Sequence, residues 1–79
     1  MEREQVIFAQ KVRYENGMIC ILLSDNREVN FPVYLNEKLR KASSEQVANI
    51  EITCAGTGLN WPELDEDLSI AGIVDGRFN

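Results

Sequence analysis

A chain of 79 residues with 44% hydrophobic and 27% charged residues has room for one small core and is too apolar for a disordered polypeptide. Its net charge of −5 sits at one end: residues 1–41 hold seven lysines or arginines against six acids, whereas residues 42–79 hold Arg77 alone against seven acids. That imbalance, +1 against −6, argues against direct binding to phosphate backbones and for a protein partner with a basic surface, and no run of eighteen apolar residues exists to span a membrane.

The whole chain, residues 1–79, reads as a single domain. A domain this small buries only about 60% of its unfolded surface, so a homodimer is one way to add the missing stability. The opening MEREQVIFAQKVRYE alternates charged with apolar residues and lacks the apolar core of a secretory signal, which makes the cytoplasm the expected address.

Val6, Phe8, Val12 and Tyr14 occupy alternate positions and predict a half-buried first strand. Asn16-Gly17 follows, and both residues tolerate the positive φ of a two-residue hairpin turn. Met18 to Leu23 is apolar at odd and even positions alike, as in a central strand covered on both faces. Beyond the turn cluster Ser24-Asp25-Asn26, Val29, Phe31 and Val33 alternate into a third strand, and Pro32 suits a sheet edge or a strand end.

Asn36 is placed to cap a helix through Leu39 whose last residues include Lys38, Arg40 and Lys41. Ser43 and Gln46 stand at capping-box spacing and predict a second helical piece through Val47. Ile50, Ile52 and Cys54 return to period two, and Gly56-Thr57-Gly58 reverses the chain into a hairpin through Leu59 and Trp61, ended by Pro62. Leu68 to Val74 suits a short terminal helix closed by Gly76, with Asp67 as its structural cap. The sum is an α+β fold: an antiparallel meander, a hairpin, one or two short helices and a C-terminal helix.

The chain has no histidine, which removes the usual general base, the partner of a catalytic serine or cysteine, and the commonest transition-metal ligand. Cys20 and Cys54 lie in apolar runs and read as core residues, and a disulfide between them requires neighbouring strands. The Gly-Thr-Gly sequence lacks the helix that a phosphate loop leads into directly. No catalytic residue, metal ligand set or cofactor is assigned.

The acids Glu63, Asp65, Glu66 and Asp67 follow none of the spacings of a calcium loop. One or two suffice at a helix N-terminus, which leaves the rest for solvent or a partner. Trp61 reads either as core or as the anchor of an acidic patch. The partner-binding assignment comprises Trp61, Glu63, Asp65, Glu66 and Asp75.

The stretch GTGLNWPELDEDLSIAGIV resembles the C-terminal signature of a small bacterial family, domain of unknown function 2442. Gly56, Gly58, Trp61, Pro62, Leu64, Asp65, Glu66, Asp67, Ser69 and Gly72 fall where its pattern expects them. Ala42 to Gln46 and Leu22 to Arg27 are similar to earlier segments of the family, with Asn60 where histidine is usual and Asn26 where glycine is usual. The resemblance implies a small α+β domain, often encoded beside a second small protein in an arrangement like toxin and antitoxin, and it brings no catalytic residues. The expected function is therefore a non-catalytic, antitoxin-like module that neutralises a basic protein. Two alternatives stand beside it: a phage or mobile-element inhibitor, such as an anti-CRISPR, whose carboxylates imitate nucleic-acid phosphates, and a metal-dependent enzyme built on the carboxylate cluster.

Overall fold

A computed structural model describes residues 6–79. Two three-stranded antiparallel sheets and three short helices make an α+β fold. In the first sheet β1 (Ala9–Glu15), β2 (Met18–Leu23) and β3 (Glu28–Pro32) lie in sequence order. Asn16 and Gly17 have φ of 52° and 78°, the two positive values a primed turn needs, and they fix the register in which Glu15 faces Met18. In the next turn the Asp25 carboxylate accepts from the Arg27 backbone N–H at 3.1 Å and from its guanidinium at 2.7 Å. Those bonds, the backbone one foremost, hold its carboxyl below the usual range.

The first strand departs from the simple alternation. A bulge between Ala9 and Lys11 inserts an extra residue, so Ala9 is buried together with the inward positions of Val12 and Tyr14 although their parities differ. Val6 and Phe8 precede the strand and are 71% and 39% exposed. β2 is central, with Ile19, Cys20, Ile21 and Leu23 buried. Cys20 faces away from the main core between Arg13 and Asn30, and Arg13 forms ion pairs with Glu15 and Glu28.

β3 ends at Pro32 and a 3-10 turn leads to Asn36, whose side chain accepts from Leu39 N–H at 3.0 Å and starts α1 (Glu37–Lys41). A reciprocal box between Ser43 and Gln46 starts α2 (Ser44–Ala48). Five-residue helices do not persist alone, and Leu39 and Val47 anchor these two in the core.

The second sheet comprises β4 (Glu51–Thr53), β5 (Gly58–Trp61) and β6 (Glu66–Ser69). Its first reversal begins earlier than the glycines imply: Cys54, Ala55 and Gly56 are all left-handed, with φ of 53°, 55° and 96°. A side chain at Gly56 would lie 2.9 Å from the Phe8 Cβ and 3.2 Å from the Ala9 carbonyl, so the turn is pinned beneath the N-terminal segment. This geometry turns Cys54 out to solvent, which corrects its assignment to the core; both cysteines are free thiols.

The acidic run does not lead directly into a helix. Pro62 to Asp65 form a turn, with Asp65 at φ 53°, and Glu66 to Ser69 return as a strand against β5. Leu68 therefore packs from a strand opposite Leu59, and α3 (Ile70–Val74) starts two residues later than predicted. Its cap is Ser69, whose hydroxyl accepts from Gly72 N–H at 2.9 Å. Asp67 is not the cap, because it lies within β6. The helix closes as expected at Gly76, φ 85°, with Arg77 N–H donating to Gly72 C=O and Gly76 N–H to Ile73 C=O. Replacing the hydroxyl in Ser69→Ala is expected to cost about 1 kcal/mol in a urea melt. Asp67→Asn, on the sheet surface, is expected to stay within about 0.5 kcal/mol.

One core joins both sheets and all three helices: Ile19, Ile21 and Phe31 from the first sheet meet Leu39, Val47, Leu59, Trp61, Leu68, Ile70 and Ile73. Phe78 stacks on Phe31 with ring centroids 4.7 Å apart. No helix among the described residues is long and apolar enough to cross a membrane.

Candidate functional site

The β5–β6 hairpin divides the acidic stretch between its two faces, because successive strand residues point to opposite sides. Register sets Trp61 opposite Glu66, and Asn60 between Glu51 and Asp67. Trp61 is fully buried, its indole Nε1 donating to the Val47 carbonyl at 3.0 Å. It is a core residue, and its assignment as the anchor of a docking patch is corrected on that ground.

Glu66 also turns inward, with 17% of its side chain exposed. Its carboxylate accepts from the buried Asn36 side-chain amide at 2.7 Å and lies 3.7 Å from Lys38 Nζ. The same Asn36 nitrogen donates to the Phe78 carbonyl at 2.7 Å. Glu66 thus belongs to an internal clamp between α1, β6 and the C-terminal segment, and it is not available to a partner as the sequence pattern suggested.

The other acids reach solvent. Glu63 and Asp65 stand on the turn, where Glu63 accepts from Asn49 Nδ2 at 3.2 Å, and Lys38 donates to the backbone carbonyl of Asp65 at 2.9 Å. Asp67 accepts from Asn60 Nδ2 at 2.6 Å on the outer face of the second sheet, in one row with Glu51. Among the described residues no lysine or arginine forms an ion pair with Glu51, Glu63, Asp65 or Asp67. Asp75 is exposed at the far end of α3 and pairs with Arg77 at 3.2 Å, apart from the hairpin turn.

The candidate surface is therefore the hairpin turn with Glu63 and Asp65, together with the outer row of Glu51, Asn60 and Asp67. Glu51 was missed by the sequence reading. Its signal was present, since Ile50 and Ile52 at period two leave residue 51 on the opposite face. Among the described residues no three acidic or thiol side chains are grouped so that they could hold a metal ion, because the strand sends Glu66 and Asp67 to opposite sides.

None of the curated proteins matches the chain. Two solved structures resemble it closely. A crystal structure of a protein of unknown function from Rhodospirillum rubrum is 34% identical, over 95% of this chain and 93% of that one, with a TM-score of 0.88. An uncharacterised protein from Chromobacterium violaceum, solved by NMR in solution, is 31% identical over 91% of this chain and 68% of its own, with a TM-score of 0.79. The family model described as protein of unknown function (DUF2442) matches residues 9–79. On that match the chain belongs to the DUF2442 family.

Proposed function

We propose that the chain is a non-catalytic binding module of the cytoplasm, antitoxin-like, that docks the acidic face of its second sheet on a basic surface of a protein partner. The observation that carries this reading is the set of exposed carboxylates on one hairpin and its neighbouring strand, Glu51, Glu63, Asp65 and Asp67, which form no ion pair with a lysine or arginine among the described residues. Uncompensated charge of one sign steers association with the opposite sign and weakens as salt screens it. Most other acids among the described residues have partners: Glu15 and Glu28 hold Arg13, Glu37 holds Lys41, Asp25 holds Arg27, Glu66 lies by Lys38 and Asp75 holds Arg77, while Glu45 stands alone.

Co-purification with the product of the adjacent gene tests the reading. The complex is expected to dissociate as sodium chloride rises from about 0.05 to about 0.5 M, where the screening length shrinks to a few ångströms. Glu63→Lys with Asp65→Lys is expected to weaken it at least tenfold. A complex insensitive to both changes refutes the acidic face as the docking surface. Displacement by added DNA or RNA would favour phosphate imitation as the way the carboxylates act.

A further inference from the structure

A groove of about 670 Å³ runs between the N-terminal segment and α3, floored by Val6, Ile7, Ala71 and Val74. Val6 and Val74 keep 71% and 43% of their surface exposed, so apolar area remains available there. The hydroxyl residues Thr57 and Ser69 form one wall and also line a second groove of about 510 Å³, which passes Cys54 and reaches Asn60 and Asp67. The two grooves adjoin at those shared residues, and together, hereafter the channel, they run from an apolar end at α3 to the acidic row on the second sheet.

We propose that this channel holds an extended segment of the basic partner, with an aliphatic side chain between Val6, Ala71 and Val74 and a lysine or arginine beside Asp67. The inference rests on the acidic-face reading and adds the shape and composition of what is bound. Charge selects this occupant over others. Along the channel Asp75 is matched by Arg77, which leaves the Asp67 end negative, with Glu51 in the same row. A second copy brings the same carboxylates and a net charge of −5, so like charges oppose it. Nucleic acid meets the same repulsion. An extended backbone presents side chains to alternate sides, which lets one segment lay aliphatic groups on the floor and cations at the rim.

The test uses the full chain and a fluorescent decapeptide that alternates valine with lysine, with two controls in which serine replaces valine or glutamate replaces lysine. Fluorescence anisotropy is expected to show binding of the first peptide and at least a fivefold loss for each control. Val74→Asn and Asp67→Asn, neutral changes at exposed positions, are each expected to weaken binding about fivefold. Circular dichroism melts confirm that both variants are folded. Undiminished binding to Val74→Asn overturns the channel while leaving the acidic face in place. Absence of peptide binding while the salt-sensitive partner complex persists has the same meaning. Loss of both the peptide and the salt-sensitive complex overturns the two readings together. Binding that appears only after residues 2–5 are removed assigns the channel to the chain's own segment, and a dimer abolished by Val74→Asn assigns it to a second copy; either result overturns the proposal.

Discussion

Trp61→Ala is expected to remove a large share of the protein's stability and to unfold at a far lower urea concentration than the parent. Removing a fully buried tryptophan costs about 3–5 kcal/mol, and at about 0.05–0.15 kcal/mol per residue a chain of this length has about 4–12 kcal/mol in total. The loss falls where the second sheet meets α2, because the indole fills the core beside Leu59 and also donates to the Val47 carbonyl at 3.0 Å. Trp61→Phe separates the two contributions. It keeps most of the volume but leaves that carbonyl without its donor, for about 1–3 kcal/mol. Urea melts followed by far-ultraviolet circular dichroism give both values. A Trp61→Ala protein with a native midpoint would contradict the packing described above.

Asn36→Ala is the second large effect expected, about 2–4 kcal/mol. One buried amide accepts from Leu39 N–H and donates to both Glu66 and the Phe78 carbonyl, so its removal strands polar groups in three segments at once. Asn36→Asp sharpens the test. It preserves the acceptor that starts α1 but replaces the donor with a second carboxylate against Glu66. At neutral pH like charges then add to the lost bonds, whereas in acid one proton shared between the two carboxyls restores a donor. The variant's deficit relative to the parent is therefore expected to shrink as pH falls through the carboxylate range. A deficit independent of pH would mean that the residue contributes only shape.

Where local chemistry dominates, the sequence is explicit. Asn16-Gly17 demands its turn, the apolar run from Met18 to Leu23 demands a centre strand, and Ser43 with Gln46 writes a helix start that appears bond for bond. Asn36 was legible as a cap, but its two donors were not, since their acceptors lie 30 and 42 residues away. The acidic run was misread because carboxylates before an apolar segment fit a helix N-terminus as well as a strand. Period two at Leu68 and Ile70 was the competing signal, and pairing with β5 decides the matter. The same pairing buries Trp61 and Glu66 and leaves Asp67 outside, a partition that composition alone does not express. Cys54 escaped for a related reason: its apolar neighbours point to a strand, and only the left-handed turn after Thr53 takes it to the surface.

Each sheet joins strands that are consecutive along the chain. Closing such short loops sacrifices little chain entropy, so both meanders can collapse quickly and separately. On this topology their mutual docking is expected to come late, held by the tryptophan that joins β5 to α2 and by the asparagine clamp that joins α1, β6 and the C-terminal segment. Weakening that seam should hasten unfolding far more than it slows folding, which makes the lifetime of the native molecule, rather than the speed of its formation, the quantity that this junction governs.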